Sequence, residues 1–369
     1  MDILILNWKD IKNPDVGGAE IILYELSKRL VADGHTVTWF CRSFPGALPS
    51  EVINGIRVIR RGNRYTVYWQ AYVYYRSLKK KPDRVLDCVN TICWQAPHYV
   101  PVDKHIAYVN QLAREVLFYE LPWGISHMAF LLERLEYFTY RRSRFLCYSE
   151  SVANDLVTFG IPTRHISTFP IGIDTERYVP GEKSPDPLFL FVARLTPMKR
   201  PDRCVAAMRT VVSKYPNAKL AIVGYGPMER TLLRMIKRNK LTGNVQLVNR
   251  DHLYFDKHPK DQKVKLMQAA WALLLPSVKE GWGLVVTEAG ACETPSIVSH
   301  VTGLIDSVKN GQTGIVLTQD PSPSELSDAM ISIIANDKRR VSLSQNARKR
   351  AITYTWDKSY AKFKQLIKK

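Results

Sequence analysis

Met1-Asp2-Ile3-Leu4-Ile5-Leu6-Asn7-Trp8, Asn13-Pro14-Asp15-Val16-Gly17-Gly18-Ala19-Glu20 and His35-Thr36-Val37-Thr38-Trp39-Phe40-Cys41 decide the fold. The first is an apolar run that predicts a buried strand from Ile3 to Trp8. Between the second and third, Ile22, Leu23, Leu26 and Leu30 recur at helical spacing, and the pattern stops at Gly34. The third predicts a strand. Strand, loop, helix and strand make one β-α-β unit of a parallel sheet. Further strands are expected at Arg84–Val89, His105–Val109 and Phe145–Tyr148, with Leu112–Arg144 largely helical after Pro122. The pattern then restarts. Strands are predicted at Pro187–Val192, Lys219–Val223, Val245–Val248, Trp271–Leu275 and Ser296–Ser299. The helices between them fall at Pro201–Tyr215, around Val264–Ala270 and at Leu284–Cys292. The Pro- and Gly-marked stretch from Ile171 to Pro187 reads as a linker. The expected class is α/β: two doubly wound, Rossmann-like domains facing across a cleft, over residues 1–173 and 174–353. A helix over 354–369 is expected to pack back on the first. Ligands bind at the carboxyl ends of such sheets.

The 369 residues are 46% hydrophobic and 24% charged, as in a soluble globular protein, and too many for one core. No uncharged apolar run approaches the roughly 18–20 residues that span a bilayer. The start carries Asp2 where a secretion signal would be basic, so a cytoplasmic chain is expected. Cys41, Cys88, Cys93, Cys147, Cys204 and Cys292 lack Cys-x-x-Cys spacing and read as buried small hydrophobes in a reducing compartment. The net charge is +19, of which residues 174–369 carry a surplus of 14. Arg57, Arg60, Arg61, Arg64, Arg76, Lys79, Lys80, Lys81 and Arg84 are opposed only by Asp83, and Arg230 to Lys240 is a second basic run. Such fields attract nucleic acid, anionic lipid or phosphorylated substrates.

The chemistry concentrates in Pro276-Ser277-Val278-Lys279-Glu280-Gly281-Trp282-Gly283-Leu284-Val285-Val286-Thr287-Glu288-Ala289. If the link were fully helical, Glu280 and Glu288 would stand about 12 Å apart along the axis. A glycosidase acid and base stand roughly 5 to 9.5 Å apart. The spacing suits acceptors at two ends of an extended polyhydroxyl ligand, with bare N–H groups between them for anionic oxygens. A nucleotide sugar has that shape. Gly17 and Gly18 open a helix after a strand, where amides can approach a phosphate. Arg194 and Lys199, in Val192-Ala193-Arg194-Leu195-Thr196-Pro197-Met198-Lys199-Arg200-Pro201-Asp202, also follow a strand. One cation about 4 Å from a departing diphosphate is worth on the order of 4 kcal/mol at an effective dielectric near 20. Two cations with loop amides can replace a metal, and the chain has no Asp-x-Asp pair to hold one; no metal and no cofactor are expected.

Taken together, these residues resemble glycosyltransferase family 4, the "group 1" retaining transferases of GT-B fold. The resemblance adds Phe169-Pro170-Ile171-Gly172-Ile173-Asp174, Val223-Gly224-Tyr225-Gly226-Pro227, Gly303-Leu304-Ile305-Asp306 and Gly311-Gln312-Thr313-Gly314. It runs over nearly the whole chain and is strongest from Ile171 to Val316. It implies an acceptor-binding first domain and a nucleotide-sugar-binding second domain. Arg194 and Lys199 would hold the donor diphosphate, helped by Gly17 and Gly18. Glu280 would meet the sugar hydroxyls, Gly283, Leu284 and Val285 would line sugar and diphosphate, and Glu288 would bind ribose. The acceptor hydroxyl would attack from the face the diphosphate leaves. Many relatives carry a His in the first domain near the sugar; Asn110 or Gln111 stands there in this chain, and Asn110 is the candidate. His105 reads as a strand histidine.

The implied reaction moves a hexose from a UDP- or GDP-sugar to a hydroxyl of a glycan or lipid-linked acceptor. Aromatics interleaved with cations in Tyr65–Lys81, and in Phe118–Phe138 before Arg141-Arg142-Ser143-Arg144, suggest an anionic membrane surface as partner, at the inner face. The alternatives are a basic nucleic-acid-binding protein, which the absence of recognition motifs disfavours, and an epimerase or phosphorylase on the same fold.

Overall fold

The computed structural model describes residues 1–89, 92–248 and 262–369. The chain forms two compact units: Met1–Leu117, Leu121–Gly172 and Trp356–Lys369 in the first, Phe118–Glu120 and Ile173–Thr355 in the second.

The first unit begins β1 (Asp2–Leu6), α1 (Gly18–Ala32), β2 (Thr36–Cys41), β3 (Ser50–Ile53), β4 (Ile56–Arg60), α2 (Val67–Ser77), β5 (Arg84–Val89) and β6 (His105–Val109). After the short α3 (Leu117–Glu120) come α4 (Trp123–Thr139), β7 (Arg144–Cys147), α5 (Glu150–Thr158) and β8 (Ile166–Thr168). The sheet order is β3-β4-β2-β1-β5-β6-β7-β8, parallel except for the β3–β4 hairpin. That hairpin turns at Asn54-Gly55, both with positive φ, as a two-residue hairpin turn requires. The strand order reverses at β1 and β5, so their carboxyl ends open a crevice.

Two sequence expectations change here. Arg60 is not part of a surface field: it is 2% exposed and forks onto Asp10 (2.7 and 2.9 Å) and Glu51 (2.6 Å). Burying a guanidinium is tolerable only with such partners. The α2 aromatics mostly face inward, with Tyr74 and Tyr75 buried and Tyr68 against Trp94 (5.0 Å between ring centres). Lys81 caps the end of α2, donating to the carbonyls of Tyr75 (2.7 Å) and Leu78 (2.9 Å), and Lys80 pairs with Asp2 (2.7 Å). His105 is wholly buried, between Ser143 (2.8 Å) and Asp87 (3.2 Å), and serves the core. All six cysteines are free and buried.

The second unit runs β9 (Leu188–Val192), α6 (Pro201–Lys214), β10 (Lys219–Val223), α7 (Glu229–Arg238), β11 (Val245–Val248), α8 (Gln262–Ala269), β12 (Ala272–Leu275) and α9 (Leu284–Ala291). β13 (Ser296–Val298), α10 (Leu304–Ser307), β14 (Gly314–Val316), α11 (Pro323–Ala335) and α12 (Asp337–Ala351) follow. Its sheet, β11-β10-β9-β12-β13-β14, is wholly parallel. Phe189, Phe191, Ile222 and Leu274 on the strands pack against Met208 and Val211 of α6 and Met330 of α11. Such near-continuous apolar strands are expected of a sheet covered on both faces. The order reverses between β9 and β12.

The last helix, α13 (Trp356–Lys368), belongs to the first unit. Phe363 packs on Phe169 (5.3 Å), and Tyr360 and Lys364 both donate to Asp33 beyond the end of α1 (2.5 Å each).

Candidate functional site

At the β9–β12 switch point the loops leaving the strands are stitched together by backbone. Leu195 N–H donates to Tyr225 O (2.7 Å) and Met228 N–H to Leu195 O (3.0 Å). A Cβ on Gly224 would lie 1.9 Å from Ala193 O, so only glycine admits this approach. Val278 N–H donates to Met198 O (2.8 Å), joining the β12 loop to the turn that carries Lys199. The result is a direct ion pair: Lys199 Nζ lies 2.5 Å from Glu280 Oε1, and Ser277 Oγ donates to the same oxygen (2.9 Å). Both charged side chains are mostly buried, at 12% and 15% exposed. Arg194 extends into solvent from the β9 loop, with no ion pair among the described residues.

The Glu280–Glu288 link is not helical throughout. The backbone turns left-handed at Gly283 (φ +79°) and α9 begins only at Leu284, so the helical spacing does not describe the pair. The N–H groups of Leu284 and Val285 head α9, where a helix has no internal acceptor for them. The loop before them is held from outside: a Cβ on Gly303 (φ +79°) would lie 2.5 Å from Glu280 O and 2.6 Å from Gly281 C. Gly303→Ala is therefore expected to displace Glu280. Its strain of about 1–3 kcal/mol should leave the unit folded by circular dichroism while sugar transfer falls by at least about tenfold. A rate equal to the parent's would show that the loop needs no such support.

Glu288, on α9, is 6% exposed and already engaged. Tyr178 Oη donates to Oε1 (2.8 Å), Lys263 Nζ lies 2.7 Å from Oε2, and Lys263 also donates to Tyr178 Oη (3.1 Å). Burial pulls the Lys263 ammonium down, but Glu288 and Tyr178 outweigh it and hold its pKa above the ordinary lysine value. Burial and the Glu288 charge push the Tyr178 hydroxyl up. Each carboxylate oxygen keeps a second lone pair for a ligand hydroxyl. Lys263, Tyr178 and Ser277 are the site residues that sequence reasoning does not find. Lys263 lies 25 positions from Glu288, within an unremarkable helical pattern.

The other candidates belong to the first unit. Gly17 precedes α1, but its N–H donates to Glu20 Oε2 (2.8 Å), with Lys9 Nζ 3.6 Å from that oxygen. The helix caps itself there, so the Gly17 amide is not open to a phosphate, and Gly18 is left as the first amide of α1. Asn110 follows β6 directly and is 9% exposed.

Comparison with known proteins identifies the family and the fold. A family model described as Glycosyl transferases group 1 matches residues 172–350, and one described as Glycosyltransferase Family 4 matches residues 16–177. The chain is 26% identical over 396 residues to D-inositol 3-phosphate glycosyltransferase 2 of Catenulispora acidiphila, covering 94% of this chain and 88% of that one. Other relatives of that name align over about half of their own length. Among solved structures, sucrose-phosphate synthase from Thermosynechococcus elongatus superposes with a TM-score of 0.81 at 20% identity, over 100% of this chain and 98% of that one. Anabaena HepE in complex with UDP-glucose gives 0.75 at 15% identity, over 100% and 99%. Two Rossmann-like parallel-sheet domains, the paired family matches from residue 16 to residue 350 and these neighbours lead to one conclusion: the chain belongs to the group 1, family 4 glycosyltransferases and has the GT-B fold.

Proposed function

We propose that this glycosyltransferase moves a hexose from a nucleotide sugar, UDP- or GDP-linked, to a hydroxyl of a glycan or lipid-linked acceptor, with retention of anomeric configuration. The observation that carries the reading is the Lys199–Glu280 pair at the β9–β12 switch point, next to the amide-headed start of α9. In this reading Lys199 and Arg194 neutralise the diphosphate, and the Leu284 and Val285 amides help them. Glu280 orients the sugar through its hydroxyls, with Gly283 beside it, and Glu288 accepts from ribose. Gly18 and Asn110 act from the first unit. As the glycosidic bond to the diphosphate breaks, the acceptor oxygen forms the new bond on the same face, and its proton passes to the departing diphosphate oxygen. The lysine and arginine charges take the place of a divalent ion. Membership of the family sets aside the nucleic-acid-binding alternative.

Two supports come from similar proteins: HepE is described in complex with UDP-glucose, and the inositol relative is named for a phosphorylated polyol acceptor. The enzyme is further proposed to work in the cytoplasm, as a peripheral protein on the anionic inner face of the membrane. Among the described residues no helix is long and apolar enough to cross it. A thermal-shift series with UDP- and GDP-sugars is the direct test. At a hundred times the dissociation constant, the right donor should add about 2.7 kcal/mol, undiminished by EDTA. Nuclear magnetic resonance of the product should then show the donor's anomeric configuration. No stabilisation by any nucleotide sugar, stabilisation lost on chelation, or an inverted product would refute the proposal.

A further inference from the structure

The two aromatic segments of the first unit behave in opposite ways. The α2 aromatics pack mostly inward, but α4 turns a continuous apolar face outward. Ile125, Met128, Leu131, Leu132, Leu135 and Phe138 are each 49–70% exposed, and Trp123 at the start of the helix is 82% exposed. At 100° per residue these six side chains cover an arc of about 140°. No charged residue falls inside it; Arg134 and His127 lie along one border. The opposite side of α4 is firmly held. Glu133 accepts from the N–H groups of Ala113 (2.7 Å) and Arg114 (2.9 Å), and Tyr137 packs edge-on to Phe159 (5.3 Å). The helix is therefore fixed in the fold, and its apolar arc faces solvent because nothing in the described chain covers it. Scattered exposed leucines need no explanation, but a contiguous stripe along a 17-residue helix does.

Charge identifies what covers it. Arg141 and Arg142 follow the helix directly and are exposed, and the Arg141 guanidinium stands 4.6 Å from the ring centre of Phe138. Arg134 adds a third cation. Both acids of the helix, Glu133 and Glu136, turn inward: Glu133 caps the 113–114 turn, and Glu136 reaches the Cys93 N–H (3.5 Å) and Gln95 (3.4 Å). The solvent side thus combines an uncharged apolar stripe, a tryptophan at one end and arginines at the other, the composition of a helix lying in a lipid headgroup layer. A second protein copy would want polar complements at the rim and gains nothing from cations of one sign.

We propose that α4 is the element by which this enzyme lies on an anionic bilayer, its Ile125–Phe138 stripe entering the acyl boundary and Arg134, Arg141 and Arg142 meeting lipid phosphates. The assignment rests on the reading of the enzyme as a peripheral membrane protein and names the part that makes the contact. It moves that contact from the Lys79–Lys81 run, where Lys81 is tied to the end of α2, to a helix whose exposed side chains can change without cost to the core.

Flotation of the full chain with phosphatidylcholine vesicles, with and without phosphatidylglycerol, tests it. Binding is expected only when phosphatidylglycerol is present. Leu131→Gln/Leu135→Gln should weaken it by at least about tenfold, and Arg141→Ser/Arg142→Ser by roughly tenfold. Thermal midpoint and donor protection should stay at parental values in both variants. Anionic vesicles that hold the parent and the leucine variant equally would overturn the role of α4 and leave membrane association standing. A parent that ignores anionic vesicles would overturn both. Concentration-dependent dimerisation in sedimentation, abolished by the leucine variant and unaffected by lipid, would assign the stripe to a second copy instead.

Discussion

Lys199→Ala is expected to lower kcat/KM for the donor by on the order of a thousandfold while the chain stays folded. The loss has two parts. In the proposed reaction the diphosphate gains charge as the sugar leaves, and a fixed ammonium about 4 Å away supplies on the order of 4 kcal/mol at an effective dielectric near 20. The ammonium is also the ionic partner of Glu280, 2.5 Å away and mostly buried. Without it the Glu280 carboxylate faces the incoming diphosphate as a bare like charge. Stability should fall by less than the about 3–5 kcal/mol of breaking a fully buried pair, because Ser277 still donates to Glu280 and the loop backbone is held independently by the Val278–Met198 bond. Glu280→Gln in the Lys199→Ala background removes the repulsion but not the missing cation, so it should recover some donor affinity and little of kcat. Arg194→Ala should cost less, roughly tenfold to a hundredfold, since its side chain moves in solvent. Steady-state kinetics on the three variants decides the matter. A loss below tenfold in Lys199→Ala would remove this lysine from the reaction.

The parallel sheets can be read from the chain because their strands are apolar throughout and separated by helical periodicity, which is the signature of a sheet covered on both faces. Arg84–Val89, His105–Val109, Lys219–Val223 and Val245–Val248 have the same limits in the structure as in the sequence reading. The β3–β4 hairpin escapes that reading although Asn54-Gly55 announces it, because its strands are only four and five residues long and Arg57 and Arg60 look like surface charge. Whether an arginine is solvated or buried depends on a carboxylate fifty residues away, Asp10 for Arg60, and no local pattern carries that information. The same holds at the site. Arg194 and Lys199 are visible because they follow an apolar strand, and Glu280 and Glu288 because Gly281, Gly283 and Gly290 mark the segment around them. The engagement of Gly17 by Glu20 is local, three residues apart, and was within reach of a capping-box reading. Lys263 and Tyr178 are not legible, since their only distinction is the carboxylate they share. α4 is ambiguous for another reason: an inward and an outward apolar face have the same periodicity, and only packing tells them apart.

Lys263 gives the second large effect, on stability first. Its side chain is 2% exposed, that of Glu288 is 8% exposed, and the two are 2.7 Å apart with Tyr178 completing the cluster. Lys263→Met keeps most of the stem and deletes the charge, stranding a buried carboxylate; breaking such a pair costs about 3–5 kcal/mol. For a domain of this size that is a fall of roughly 10 °C in the midpoint of the second unit's transition. Glu288→Gln/Lys263→Met has no ion left to strand and should regain more than half of the loss, since a neutral amide can still bond to Tyr178. Donor use should not follow stability. In the proposed complex the ribose hydroxyls donate to the Glu288 carboxylate, so the double variant stays weak in donor KM even where its fold is restored. In Lys263→Met the carboxylate persists but is no longer aimed, and its donor KM should rise with kcat less affected. If instead the double variant regained both midpoint and donor KM, Lys263 and Glu288 would be a structural ion pair alone. If Lys263→Met left the midpoint unmoved, the cluster would not be the buried pair its geometry describes. Separation of the two readouts is the expected result, because the same carboxylate that the lysine neutralises for folding is the one the donor must find correctly oriented.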